Sequence, residues 1–306
     1  VVRACDVRSG KLVWAFDPVP PVVTPVSASD AAAGATFTRG TPNGWGARSA
    51  DRERGIVYLP TGNPQPDHYG GEERGGRDFY GTSVVALEAA TGRPLWHFQT
   101  VHHDVWDYDI AAQPVLFEQA SGKAGVITTT KMGHVFLLDR DSGKPLFPVE
   151  ERAVPQSSVP GEHTAATQPF PTLPRPLHPH DLGEDDIWGL TPIDRKACRE
   201  QFRKLRYEGI FTPPGFETTL AYPGLGGGMN WGSASIDEGR GLLIINDIRM
   251  PQFVQLIPRE NVDSYGPSAV HDGLSKQLGT PYGVIKAGFM SPLGVPCHQP
   301  PYGTIS

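Results

Sequence analysis

Apolar residues along this chain come in short runs, and turn residues break them every few positions. RGIVYLPTG (54–62), AGVITTT (124–130), HVFLLD (134–139) and RGLLIIND (240–247) are rich in β-branched and aliphatic side chains and are bounded by Gly, Asp or Asn. That pattern predicts strands. One segment has a helical pattern instead, TPIDRKACREQFRKLRYEG (191–209). Thr191 suits its N-cap, Pro192 its first position and Gly209 its end, with Ile193, Ala197, Phe202 and Leu205 as the apolar stripe. The stretch 148–186 has eight prolines from Pro148 to Pro179 and predicts an irregular loop wrapped over the surface.

Three of the strand-like runs are copies of one another. ACDVRSGKLVW (4–14), ALEAATGRPLW (86–96) and LLDRDSGKPLF (137–147) each carry an acid at the third position (Asp6, Glu88, Asp139). Each has Ser-Gly or Thr-Gly at positions six and seven, a basic residue next and an aromatic at the end. This reads as strand, tight turn, strand, with Gly10, Gly92 and Gly143 supplying the positive φ of the turn. Repeats of this kind predict an all-β protein of several four-stranded units, a β-propeller, with long loops inserted at uneven intervals. A single domain over 1–306 follows, with 147–190 as an inserted Pro-rich loop and 191–209 as an inserted helix.

Composition narrows the function classes. Gly (36) and Pro (31) make up about a fifth of the 306 residues, in keeping with many turns. The net charge is -6 with no basic run, which argues against nucleic acid as the main partner. No run approaches the roughly 18 apolar residues of a membrane span, and no signal-peptide pattern is present. Cys5, Cys198 and Cys297 fit no zinc or redox spacing. They suit buried thiols or, in an oxidising compartment, a Cys198–Cys297 disulfide. The chain opens inside a strand and stops at PPYGTIS without a closing element, which predicts a piece of a longer protein.

The repeat resembles the tryptophan-docking motif of quinoprotein alcohol dehydrogenases. WAFDPVPP (14–21), TVHHDVWDYDIAAQP (100–114), RYEGIFTPP (206–214), LIPREN (256–261) and SPLGVPCHQP (291–300) are similar to the membrane-bound glucose and quinate/shikimate dehydrogenase branch. The resemblance implies an eight-bladed propeller, here partial, holding pyrroloquinoline quinone (PQQ) and a divalent cation, Ca2+ or Mg2+. The N-terminal membrane anchor and first blades, and the last blades, would lie outside this chain. It also implies site residues. Asp107 corresponds to the general base and lies close to the metal. Lys131 corresponds to the basic residue at the PQQ carbonyls, Trp45 to the tryptophan under the quinone plane, and Asn246 to a PQQ-bonding asparagine. Asn63 corresponds to a metal-ligand asparagine at which the glucose enzyme departs. The glutamate and histidine of the earlier blades are not in this chain.

The chemistry is coherent on its own terms. Oxidising an alcohol by hydride transfer requires a base, a polarised acceptor and, for a flat cofactor, a flat support. Asp107, Lys131 with a cation, and Trp45 meet those needs, and Asn63 and Asp107 offer the oxygen ligands calcium prefers. In TVHHDVWDYDI (100–110) only Asp107 need face the axis. Asp104 and Asp109 are expected to hold backbone N–H groups, and His102 and His103 suit structural roles or, for His103, substrate contact. Trp14, Trp96 and Trp106 are expected to pack between blades. Arg249 is placed for a substrate carboxylate, which quinate has and glucose lacks.

The expected function is PQQ-dependent oxidation of a cyclic polyol, quinate or shikimate, with electrons passed to ubiquinone at the periplasmic face of the inner membrane. The alternatives are a glucose dehydrogenase of the same class and a non-catalytic propeller used as an assembly platform.

Overall fold

The computed structural model describes residues 1–19, 38–71, 74–119, 122–177, 182–264 and 273–306. Pro20, Pro21 and Pro179, which belong to stretches quoted above, lie outside them.

Strand pairing follows the repeats. β1 (Val2–Cys5) and β2 (Leu12–Phe16) form the first two-stranded sheet. β3 (Ser49–Asp51), β4 (Ile56–Pro60), β5 (Ser83–Glu88) and β6 (Pro94–Gln99) form a four-stranded antiparallel sheet in sequence order. β7 (Val115–Glu118), β8 (Ala124–Thr129) and β9 (Val135–Asp139) form the next. In each repeat the turn glycine donates its N–H to the carbonyl of the acid at the third position, over 2.8 Å for Gly10 and Gly92 and 2.9 Å for Gly143. Their φ angles are 69°, 73° and 68°, in the left-handed region that favours glycine. The Asp6 and Asp139 carboxylates close the turn by accepting the N–H of Ser9 (2.7 Å) and Ser142 (2.9 Å). The third repeat lacks a full closing strand. After the Asp139 turn Leu138 bridges Pro145 and the Leu146 N–H bonds Leu137 O (2.8 Å), and pairing stops there, whereas in the second repeat β6 starts on Pro94 at the matching position and continues to Gln99.

The sheets stack face to face through their apolar sides. Phe16, from the first sheet, packs with Leu59, Tyr80, Val85 and Leu87 of the second sheet and its connections. Tyr58, Val84 and Ala86 of the second sheet meet Val126, Phe136 and Leu138 of the third. The repeat aromatics dock forwards. Trp14 donates its indole N–H to Ala89 O (2.9 Å), and its ring lies where a side chain on Gly92 would sit, 2.4 Å from an added Cβ. Trp96 does the same one repeat later, toward Arg140 O (3.3 Å) and Gly143 (2.4 Å). Trp106 instead packs with Val101, Tyr108, Met132 and Phe211 and donates to Thr212 O (2.9 Å).

The insertion differs from expectation. Within the Pro-rich stretch, β10 (Val149–Ala153) and β11 (Thr167–Pro171) form a regular antiparallel hairpin with five residue pairs. Proline is tolerated there because this two-stranded ribbon consists of edges. The helix is shorter than the 191–209 pattern: α1 runs Pro192–Phe202, capped by the Thr191 hydroxyl, which accepts the Asp194 N–H (3.1 Å). Leaving the helix, Arg206 gives its N–H to Thr218 O (2.9 Å) and pairs with Thr219. Tertiary pairing thus ends the helix before Gly209. Its buried side also differs: Ile193 is 84% exposed, while Asp194 and Cys198 face inward.

β12 (Thr219–Ala221), β13 (Ala234–Asp237), β14 (Leu242–Ile248), β15 (Gln252–Pro258), the short α2 (Arg259–Val262), β16 (Leu274–Ser275), β17 (Tyr282–Gly288) and β18 (Gly303–Ile305) complete the chain. Strands β13, β14 and β18 form a three-stranded sheet packed on the third sheet through Phe117, Ile127, Met229 and Ile245. β12, β15, β17 and β16 form a four-stranded sheet whose apolar face covers Tyr69 and Val159. A disulfide joins Cys198 of α1 to Cys297, across 99 residues, inside a cluster with Ile187, Tyr222 and Phe289. Cys5 is free and exposed.

Candidate active site

Antiparallel pairing brings four loops to one end of the second and third sheets. Trp45 precedes β3, Asn63 follows β4, Asp107 and Asp109 precede β7, and Lys131 follows β8. The start of one strand lies beside the end of its antiparallel neighbour, so these residues converge.

Asp109 joins the two sheets. Its carboxylate accepts the Asn63 backbone N–H (2.5 Å) and the Trp45 indole N–H (3.0 Å), and lies 3.9 Å from Lys131 Nζ. Gly62 is required here, because a Cβ would come within 2.5 Å of Asp109 Oδ1. Lys131, 4% exposed, donates to Asp107 O (2.7 Å) and Asp107 Oδ1 (3.3 Å). Its ammonium sits 6.0 Å from the centre of the Trp45 ring. An ammonium has three donors, so one remains for an acceptor above the indole. Trp45 itself is 49% exposed, a flat apolar surface beside a cation.

Asp107 adopts φ 61°, uncommon for a residue other than glycine. The loop is held there by Asp104, which is buried and accepts the N–H groups of Trp106 (2.8 Å) and Tyr108 (2.9 Å) and the Thr82 hydroxyl (2.8 Å). Asp104 therefore has the backbone-holding role expected of it. Burial, helped by the negative charge of Asp109, pushes its carboxyl up to about 7. Asp109 does more than hold backbone: it is the hub that places Trp45, Asn63 and Lys131. Burial raises its carboxyl above the usual range, with Lys131 opposing and Asp107 adding to the rise.

Asp67 joins this charge cluster. Burial, then the charge of Asp107, raises its carboxyl, while Lys286 opposes. Its carbonyl accepts the Asn63 side-chain N–H (3.0 Å), which leaves the Asn63 amide oxygen as the side chain's acceptor. A cavity of about 580 Å³ adjoins Asp67, with Gln65, Lys276 and Gln277 in its walls. Lys286 is half-buried on β17, on the same strand face as Val284 and Tyr282, which pack toward Tyr69. Its ammonium makes no ion pair or hydrogen bond with the described residues.

Three sequence-predicted residues are placed differently from this cluster. Asn246 is exposed on β14, its amide against Gly232. It connects to the site only through backbone: two residues on, the Ile248 N–H bonds Gly228 O (2.7 Å), and the Gly228 N–H bonds Lys131 O (2.6 Å). Arg249 does not present a free guanidinium. Its Nε pairs with the fully buried Asp247 (2.8 Å) and its Nη2 donates to Leu177 O (3.0 Å). His103 is not open to substrate either, since its two ring nitrogens meet Asp78 (3.0 Å) and Glu162 (2.8 Å). His102 bonds Gln99 and Glu151, each over 3.0 Å.

Sequence reasoning missed Asp67, Lys286 and the two carboxylates around His103. Asp67 stands four residues after Asn63, a local signal. Glu162 comes from a distant hairpin and leaves none. For a hard cation the chain offers two carboxylates, Asp107 and Asp109, and the Asn63 amide oxygen. No group of three or more His, Cys, Asp or Glu among the described residues is arranged to hold a metal. Calcium takes six to eight oxygens, so the donor chemistry fits calcium and fills part of its shell. The half-exposed indole beside a buried ammonium likewise fits a flat, anionic quinone.

Comparison with known proteins identifies the family and the fold. Residues 1–306 match the family described as "PQQ: Glucose/ethanol/alcohol dehydrogenase, beta-propeller domain". The chain is 41% identical to the glycerol dehydrogenase large subunit of Gluconobacter oxydans, over 100% of this chain and 43% of that protein. It is 39% identical to the quinate/shikimate dehydrogenase (quinone) of Acinetobacter baylyi, over 100% of this chain and 39% of that protein. It is 40% identical to the quinoprotein glucose dehydrogenase of Escherichia coli, again over 100% and 39%. The chain thus spans about two-fifths of the length of these relatives. Among solved structures, a europium-containing methanol dehydrogenase shares its fold with a TM-score of 0.56 at 18% identity, covering 99% of this chain and 46% of that one. The quinohemoprotein alcohol dehydrogenase from Comamonas testosteroni gives 0.55 at 20%, covering 94% and 38%. Propeller repeats, loops gathered at one end of the sheets and full-length similarity together show that this chain belongs to the PQQ-dependent glucose/ethanol/alcohol dehydrogenase β-propeller family.

Proposed function

We propose that this chain forms part of the active site of a PQQ-dependent dehydrogenase that oxidises a polyol to the corresponding ketone. The observation that carries this is the convergence of Asp107, Lys131 and Trp45. When bound, PQQ supplies the hydride acceptor and calcium a Lewis acid that polarises oxygen. Trp45 gives the flat support for the cofactor. Asp107 is positioned to take the hydroxyl proton as the C–H bond opens. Lys131 steadies Asp107 through its carbonyl and keeps one donor for an oxygen above the indole, where negative charge develops. Asn63, Asp107 and Asp109 are the donors for the cation, and Asn246 a cofactor contact from the neighbouring sheet.

The finer reading is quinate or shikimate as substrate and ubiquinone as acceptor, at the periplasmic face of the inner membrane. Two quinate relatives share 39% and 42% identity with this chain, both with a quinone in their names. Glycerol and glucose relatives are equally similar, so the substrate rests on chemistry. Lys286 is the cation for a carboxylate here, since Arg249 is taken up by Asp247. The buried Cys198–Cys297 disulfide favours an oxidising compartment. No helix among the described residues is long and apolar enough to cross a membrane.

The test is substrate-dependent dye reduction by the full-length protein with PQQ and calcium, across quinate, shikimate, glucose and glycerol. PQQ-dependent turnover of quinate above the neutral substrates supports the finer reading, and no PQQ-dependent turnover of any of them overturns the function.

A further inference from the structure

We propose that His103 is a positioning residue: as an imidazolium held between Asp78 and Glu162, it latches the 100–109 loop so that Asp107 faces Lys131. This rests on the reading of Asp107 as the base.

The geometry fixes the protonation state. His103 Nδ1 lies 3.0 Å from Asp78 Oδ2 and Nε2 lies 2.8 Å from Glu162 Oε1. Ionised carboxylates only accept hydrogen bonds, and a neutral imidazole donates from one nitrogen only. Both contacts are therefore hydrogen bonds when the ring carries two protons.

The two carboxylates are themselves held. Asp78 Oδ1 pairs with Arg74 (2.9 Å), which is 1% exposed and also donates to Pro66 O (2.7 Å). Glu162 Oε2 accepts the Gly70 N–H (2.6 Å), and its Oε1 accepts the His163 N–H (2.8 Å). The described charged groups facing His103 are thus Asp78 from the 3-10 turn Arg77–Tyr80, Arg74 from the loop before it, and Glu162 from the hairpin connection. Two positive and two negative charges balance in a largely buried site. Gly70 packs flat on the ring, since a Cβ there would lie 2.4 Å from it.

The latch acts on the catalytic loop through backbone geometry. His103 has φ 45° and Asp107 φ 61°, so the loop is held in a sparsely populated conformation at both ends. Asp104 fixes the turn between them. His103 ties its start to two separate elements, the Arg77–Tyr80 turn and the β10–β11 connection. Burial opposes charge on the ring, but the Asp78 and Glu162 hydrogen bonds outweigh it and hold the imidazole at about 9. Above that pH, one carboxylate faces a ring nitrogen with no proton, and the loop is released.

The experiment uses the full-length protein loaded with PQQ and calcium. H103Q removes the second donor, and E162Q removes one partner while keeping its shape. In the wild type, kcat is expected to fall through pH 9 while the PQQ affinity and KM stay within about twofold. H103Q should lose 10- to 100-fold in kcat, the order expected for misplacing a catalytic group by about 1 Å, and should lose the alkaline limb. E162Q should move that limb to lower pH. A limb near 9 that persists in H103Q, or that E162Q leaves unmoved, overturns the latch. Amide exchange of residues 100–109, followed against pH, gives a readout without turnover. Protection, taken as the exchange rate relative to the intrinsic base-catalysed rate at each pH, should fall above pH 9 in the wild type and be low at all pH values in H103Q, and pH-independent protection in both overturns the proposal. If no polyol is turned over, the function falls, and the exchange data still decide the latch.

Discussion

Replacing Asp107 by Asn isolates its role as a base, because nearly everything else about the residue survives. Asn tolerates the left-handed region as well as Asp does, so φ 61° is retained. The side-chain oxygen is kept, and Lys131 keeps its 2.7 Å bond to the Asp107 backbone carbonyl and its 3.9 Å approach to Asp109. What is lost is the charge in the 3.3 Å contact with Lys131, on a side chain that is 22% exposed. A charged hydrogen bond that becomes a neutral one changes stability by about 1 kcal/mol. For a chain of this size that is a few degrees in Tm at most. Loss of a general base costs about 10²–10⁴-fold in rate, or roughly 3–5 kcal/mol of transition-state stabilisation. The rate effect should therefore exceed the stability effect several-fold. Dye-reduction kcat with saturating PQQ, a PQQ titration and a melting curve on the same preparation separate the two. A variant that binds PQQ normally and keeps more than about a tenth of the wild-type kcat refutes Asp107 as base. A rate loss that disappears on adding more PQQ would instead assign Asp107 to holding the cofactor.

Trp45→Ala should weaken PQQ binding by about tenfold, since aromatic stacking adds roughly 0.5–1.5 kcal/mol beyond lost area, with little change in kcat at saturation; an unchanged titration curve would make the ring a packing element. Arg249→Ala should lower stability by about 3–5 kcal/mol by leaving Asp247 buried without its partner and reduce quinate and neutral-polyol activity alike, whereas Lys286→Met should raise KM for quinate alone; the reverse pattern in kcat/KM would return the carboxylate to Arg249. Replacing Cys198 and Cys297 by Ala should lower the denaturant midpoint by an amount equal to as much as about 4.7 kcal/mol, the chain-entropy value for a loop near 100 residues, and an unchanged midpoint would show that the bond contributes nothing.

The parts of the fold legible in the sequence are those fixed by local chemistry. The repeat turns could be read because the acid, the Ser or Thr and the glycine that form each one lie within a few residues. The missing closing strand of the third repeat could not, because its string matches that of the second repeat, where Pro94 opens a full strand, and the difference lies in the chain that follows. The helix was read too long, since nothing within 203–209 announces that Arg206 pairs with Thr219. Trp45, Asp107 and Lys131 could be singled out through the strings around them. The hub role of Asp109 depends on two loops meeting, and the partners of His103 lie 25 and 59 residues away. Arg249 is a different case. Asp247, two residues before it, could have been recognised as its partner, because alternate residues of an extended strand share a face.

The forward docking of Trp14 on Gly92 and of Trp96 on Gly143 gives the chain a direction in time. Each indole leaves the ribosome before the glycine it rests on, so a sheet cannot be sealed until its successor has been made. Coupling runs between nearest neighbours, as in repeat proteins, where stability sums local units and their interfaces. A bulky residue at Gly143 would therefore do its first damage to the sheet synthesised earlier, whose Trp96 would have no seat. The harm should spread backwards along the polypeptide, leaving a loosened upstream sheet open to proteases while the later sheets still fold.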